Sequence, residues 1–164
     1  PIKGIDKKLV ISATHALEIE DQLKGNIIIL GGGTVGAEIA LEQSLIHKNN
    51  VSIIELGDEL ATQGNMLYKI GLRQTMEKCE SLTTYLNTQC TEVKDNSVII
   101  KNEAGIIKEI PADKVIVCTG MKSLNILAES FYGITPNVTM IGDCVKPRKI
   151  MEAVFEGHSI ALNL

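Results

Sequence analysis

The sequence predicts an α/β fold: a parallel sheet covered by helices, with an antiparallel three-strand meander set into it. Three observations predict this. Ile27, Ile28, Ile29 and Leu30 make an unbroken apolar run, the pattern of a strand buried on both faces, and lead straight into glycines and a helical stretch. A second such run, residues 51–56, follows that helix, as a parallel crossover requires. Past residue 80 the pattern turns to short strands joined by turn pairs.

Residues 1–23 carry Pro and Gly punctuation, a short apolar run at Leu9, Val10 and Ile11, and Thr14 as the expected helix N-cap. His15 has no companion acid or nucleophile at motif spacing, so a surface or capping role fits it better than catalysis. Residues 26–36, NIIILGGGTVG, then place G-x-G-x-x-G at Gly31, Gly33 and Gly36 between strand and helix. On the helix, Val35, Ile39 and Ile46 share one track, and Ala37, Leu41 and Leu45 the neighbouring one.

This spacing has a chemical reading. A helix starting at the turn aims unpaired N–H groups and its positive dipole end at the loop, where a diphosphate can rest. Gly31 would supply the sharp turn, Gly33 the close approach of backbone to pyrophosphate, and Gly36 the tight helix–strand packing. Glu55, near the end of the second strand, stands 55 − 36 = 19 positions past the last glycine, where a Rossmann-like fold needs an acid for the adenosine ribose hydroxyls. The same carboxylate would repel a 2′-phosphate, and Leu56, Gly57, Asp58 and Glu59 offer no basic residue to receive one, so the expectation is NAD(H) rather than NADP(H).

Residues 57–64 read as a polar loop, and 66–78 as a helix with Leu67, Ile70 and Met76 facing inward. Residues 83–93, 98–101 and 106–110 read as the three meander strands, joined by Asp95-Asn96 and Ala104-Gly105. Residues 115–120, VIVCTG, form another buried strand whose end, at Thr119 and Gly120, borders the expected cofactor cleft. A short helix over 123–131 and a strand over 137–141 follow, the latter ending in Gly142-Asp143. The last helix has one stripe of Ile150, Val154, Gly157 and Ala161 and another of Met151, Phe155 and Leu162, the pattern of core packing.

Composition narrows the function classes. At 164 residues, 45% hydrophobic and 22% charged, the chain fits one domain or one plus part of another. A net charge of −4 without a basic run argues against nucleic acid or anionic membranes, and no apolar stretch reaches spanning length. A cytoplasmic protein is the default expectation. Cys79, Cys90, Cys118 and Cys144 include no C-x-x-C, so neither a redox disulfide nor a metal or cluster site is encoded locally. The first residue is Pro rather than Met, which reads as a piece of a longer protein.

Taken together, GGGTVGAEIA, VSIIEL, VIVCTG and IGDCVKPRKIMEAVFEGHSIA resemble the two-dinucleotide-binding flavoproteins typified by pyridine nucleotide-disulfide oxidoreductases. Within them the sequence is most similar to the C-terminal part of multidomain NADH:flavin oxidoreductases such as 2-enoate reductase, 2,4-dienoyl-CoA reductase and trimethylamine dehydrogenase. The resemblance implies that residues 21–120 are an inserted NAD(H)-binding domain, while 1–20 and 121–164 are remnants of its FAD-binding host. It implies NADH-binding roles for Gly31, Gly33, Thr34, Val35, Gly36 and Glu55. It also implies that Gly142 and Asp143 meet the FAD ribitol, with the helix near Lys149 aimed at the flavin. No earlier G-x-G-x-x-G supplies the ADP half of FAD, and the FMN barrel and iron–sulfur cysteines expected of the parent lie elsewhere.

The leading expectation is therefore an NADH-binding piece of a flavin-dependent oxidoreductase acting on an activated alkene, with no catalytic side chain and no metal ligands of its own. Its partners would be the remaining domains of the parent, with a homo-oligomer possible. A second reading keeps the flavoprotein but makes it an oxidase or disulfide reductase, with Cys144 beside Asp143 as the one candidate thiol. A third is a non-catalytic NADH-sensing module.

Overall fold

Strand β1 (Val10–Ser12) passes directly into helix α1 (Ala13–Glu18), because Ser12 has the extended backbone of a cap and its hydroxyl accepts a hydrogen bond from the His15 N–H at 3.2 Å. The expected cap, Thr14, lies inside the helix instead. Strand β2 (Asn26–Leu30), helix α2 (Thr34–Leu45) and strand β3 (Asn50–Ile54) then form the parallel crossover. Helix α3 (Met66–Glu77), capped by the Asn65 carboxamide at 2.9 Å, leads into strand β4 (Leu82–Tyr85). Strands β5 (Thr88–Val93), β6 (Ser97–Asn102) and β7 (Ile107–Pro111) and strand β8 (Lys114–Val117) follow, then short helix α4 (Asn125–Glu129) and helix α5 (Ile150–Ala161).

This computed structural model describes residues 2–163 and divides into two compact units, Pro1–Thr119 and Gly120–Leu164. In the first unit a five-stranded parallel sheet runs in the order β1-β8-β2-β3-β4, and β5-β6-β7 form a separate antiparallel sheet. Alternation along β2 explains the layering. Ile27 and Ile29 face the helices, in a core with Ala37, Ile39, Ala40, Leu72 and Met76. Ile28 and Leu30 face the antiparallel sheet, in a second core with Val93, Val98, Ile100 and Ile110. Ile27, Ile28, Ile29, Ile53 and Ile116 are each at most 1% exposed, a contribution of about 1.5–3 kcal/mol apiece. Residues 2–20 join this unit through β1, which pairs with β8 from Val10↔Val115 to Ser12↔Val117.

Several local expectations are corrected. The strand expected over 83–93 is two strands, broken at Asn87, whose φ of +46° is left-handed and tolerable for Asn. Its first half, β4, joins the parallel sheet rather than the meander. On α2, Ile39 and Ala37 are buried, but Val35, Leu45 and Ile46 are exposed: the helix packs through Gly36, Ala37 and Ala40, small residues that let it lie close to the sheet. On α3, Leu67 and Ile70 face outward, and Leu72 and Met76, one turn apart, make the buried contact.

The second unit is different in kind. The strand expected over 137–141 is absent, and a 3₁₀ turn, Gly142–Cys144, follows. The helix expected over 123–131 is limited to α4. Helix α5 forms where expected, but Ile150, Met151, Val154 and Phe155 are 65–83% exposed, so its stripes cover no core within the described residues. No helix among the described residues is long and apolar enough to cross a membrane.

Candidate functional site: the glycine loop and its carboxylate

Strand order places a switch point in the first unit: from β2 the chain runs through β3 and β4 on one side and later returns to β8 on the other. Three glycines shape that end. Gly31 has φ +102°, and a Cβ there would lie 2.6 Å from the Cys118 carbonyl oxygen at the end of β8. A Cβ on Gly36 would stand 2.0 Å from the Gly31 carbonyl oxygen, so only glycine lets α2 begin this close to the turn. Gly33 is the contrast: a Cβ there would meet nothing within 4 Å. The first two are glycine for the fold, and the third borders open space.

Glu55 reaches this loop. Its Oε2 accepts from the Gly32 N–H at 2.5 Å and its Oε1 from the Gly57 N–H at 2.7 Å. Its backbone is pinned as well, donating to the Tyr85 carbonyl and accepting from the Thr88 N–H, each at 2.9 Å. The carboxylate is partly exposed and rigidly aimed. Helix α2 starts at Gly33 with no side-chain cap, and Val35 in its first turn is half exposed. Thr34 turns away: its hydroxyl donates to the Gln63 carbonyl at 2.8 Å. Thr119 is exposed just beyond β8.

The loop over 57–64, expected to be simply polar, folds onto the glycines. Leu60 and Ala61 are buried, the Ala61 N–H donates to the Gly32 carbonyl at 2.8 Å, and Leu60 fills the space beside Gly32. Arg73 holds this loop, donating from Nε to the Leu60 carbonyl at 2.8 Å and pairing with Glu59. The apolar Leu60-Ala61 pair inside an otherwise polar stretch was the available signal; nothing in the spacing pointed to Arg73.

In the second unit, Gly120 and Gly142 have φ of +100° and +66°. Asp143 is exposed, with Oδ1 3.3 Å from the Arg148 N–H. The residue organising this turn is Glu156, which accepts from the Gly142 N–H at 2.7 Å and pairs with Arg148. Those two contacts, the backbone bond first, hold its carboxyl below the usual carboxylate range. The thiols are placed for packing. Burial pushes Cys118 and Cys90 up to about 11, and Cys144 donates to the Ile141 carbonyl at 2.9 Å.

A switch-point crevice, a glycine turn, an uncapped helix start and an acid at the next strand end define a dinucleotide-binding α/β module. The sequence pattern of the pyridine nucleotide-disulphide oxidoreductases matches residues 1–157, and the chain belongs to that family. It is 30% identical to a metal reductase of Desulforamulus reducens, over 93% of this chain and 27% of that protein. It is 28% identical to a cinnamate reductase of Clostridium sporogenes, over 99% of this chain and 24% of that one. The structure of a 2-naphthoyl-CoA reductase in complex with 2-naphthoyl-CoA superposes with a TM-score of 0.88 at 29% identity, over 99% of this chain and 24% of that one. The chain thus spans about a quarter of the length of these relatives.

The family binds FAD and a nicotinamide dinucleotide, and the residues present fit these unequally. The open backbone at Gly33 beside an aimed carboxylate fits a dinucleotide's pyrophosphate and ribose. For FAD, the exposed Asp143 fits a ribityl contact, while the Gly142 N–H is already engaged by Glu156.

Proposed function

We propose that this chain is the NADH-binding portion of a larger flavin-dependent reductase that acts on an activated alkene. The observation that carries the reading is the open position at Gly33, with the Glu55 carboxylate held next to it by Gly32 and Gly57. When bound, the nicotinamide would supply hydride to a flavin. The chain's own task is positioning: Gly31, Gly33, Val35 and Gly36 present bare backbone and the α2 dipole to the pyrophosphate, and Glu55 accepts from the adenosine ribose and disfavours a 2′-phosphate. Thr34 contributes its backbone, since its hydroxyl is committed to Gln63. Gly120 keeps its reading as a border of the cofactor cleft, and Gly142 and Asp143 are assigned to the FAD side, with the rest of that pocket in the remaining domains of a parent that also carries FMN and an iron–sulfur cluster.

The name of the cinnamate reductase supports an enoate-type acceptor, and that of the metal reductase supports a second reading in which electrons leave the flavin for a metal ion. The cytoplasm, and assembly with parent domains or a second copy, complete the proposal. The test is titration of the chain with NADH and NADPH. The reading expects NADH to bind at least about tenfold tighter, and the reverse preference overturns it.

A further inference from the structure

We propose that Glu20, Glu42 and His47 form a site for one divalent transition-metal cation of the Zn²⁺ class. The site lies at the end of α2 remote from the glycine loop, roughly 12 Å along the helix from Thr34. A ring nitrogen of His47 and one carboxylate oxygen from each glutamate all fall within 4.8 Å of one another.

A buried frame holds these three residues together. Gln43 and Asn49 are 1% and 3% exposed. Gln43 donates to the Glu20 backbone carbonyl at 3.3 Å, and Asn49 donates to the Leu23 carbonyl at 3.0 Å and to the Gln43 carboxamide at 2.8 Å. The Gly25 N–H donates back to Asn49 at 2.9 Å. The 3₁₀ turn Glu20–Gln22 is thereby fastened to the last turn of α2, and the His47 N–H bonds the Glu42 carbonyl at 3.2 Å.

On that frame one group lacks a partner. The His47 side chain is only 9% exposed, and its Nε2 is buried with no hydrogen-bond partner. A buried polar nitrogen left unsatisfied is a standing penalty, and two carboxylates brought together repel each other. One cation bound through Nε2 would remove both. The other ring nitrogen, Nδ1, lies 3.6 Å from Asp21 Oδ1, outside hydrogen-bond range, so Asp21 adds negative charge beside the ring. One imidazole and two carboxylates suit a borderline divalent ion, with water in a fourth position. Glu20 and Glu42 are partly exposed, and binding would draw their carboxylate oxygens inward from this spacing. Bound metal would staple the segment before β2 to α2.

The test is titration of the full chain with Zn²⁺ by calorimetry, alongside Co²⁺ absorption. The proposal expects one Zn²⁺ per chain, a melting midpoint that rises with Zn²⁺ but not with equimolar Mg²⁺, and a Co²⁺ spectrum without thiolate charge transfer. Glu20→Gln and Glu42→Gln, at partly exposed side chains that leave the frame intact, should each weaken binding by at least about tenfold, the loss typical of even an outer-shell partner. Absent stoichiometric binding, unchanged affinity in both variants, or a thiolate band would each overturn it. NADH affinity is read separately in the same samples, so this site and the dinucleotide site stand or fall independently.

Discussion

The two units of this chain carry helices of equal length and treat them oppositely. Helix α2 lies on a sheet, and every buried hydrophobic side chain among the described residues precedes residue 120. Helix α5 is just as regular, yet Ile150, Met151, Val154 and Phe155 face outward, and among the described residues its unit buries no hydrophobic side chain. Periodicity reports that a face exists; it does not report where that face's partner resides. For α2 the partner is nearby in the sequence. For α5 the simplest partner is another part of the longer parent proposed above.

The sharpest way to break that comparison is to delete packing in each unit. Ile29→Ala should lower stability by about 4 kcal/mol in urea unfolding, while Phe155→Ala should stay within about 0.5 kcal/mol; a large loss at Phe155 would mean that the second unit has a core after all. Next come the glycines. Gly36→Ala forces a Cβ against the Gly31 carbonyl and should cost roughly 2–3 kcal/mol. Gly33→Ala meets open space and should shift stability by less than about 1 kcal/mol, yet weaken NADH binding at least about tenfold. Equal stability losses at the two positions would dissolve the distinction between fold glycine and ligand glycine.

Thiol chemistry gives a smaller effect. With Cys118 raised to about 11, only about one thiol in a thousand is ionised at pH 8, so mass-resolved alkylation of the native chain should leave it unmodified long after a reference thiol has reacted. The smallest effect concerns pH in the second unit. The Glu156 carboxyl is depressed on folding, so its stabilisation is fully present above its unfolded pKa, near 4.3, and is lost as pH falls through the lower folded value. A carboxyl NMR titration should show Glu156 titrating lower in the native chain than in the urea-unfolded chain, and loosening of the Gly142 turn should track it.

What was legible in the sequence was local. The run from Ile27 to Gly36 states strand, turn and helix within eleven residues, and Glu55 is fixed by one crossover of standard length. The break at Asn87 was not legible, because β-patterned residues continue on both sides and one left-handed residue re-routes β4 to the other sheet. Nor was the burial of Leu60 and Ala61, which depends on Arg73 and on the groove beside Gly32. The grouping of Glu20, Glu42 and His47 escaped motif spacing for the same reason: buried amides assemble it across separate segments.

Glu55 fastens two stretches of main chain, at Gly32 and at Gly57, and stands where the sugar of a cofactor would be recognised. Redesigning the chain toward a phosphorylated cofactor by exchanging this one acid would therefore also unfasten the loop. Any such switch needs a companion change that re-ties Gly32 and Gly57 before the new preference can be expressed.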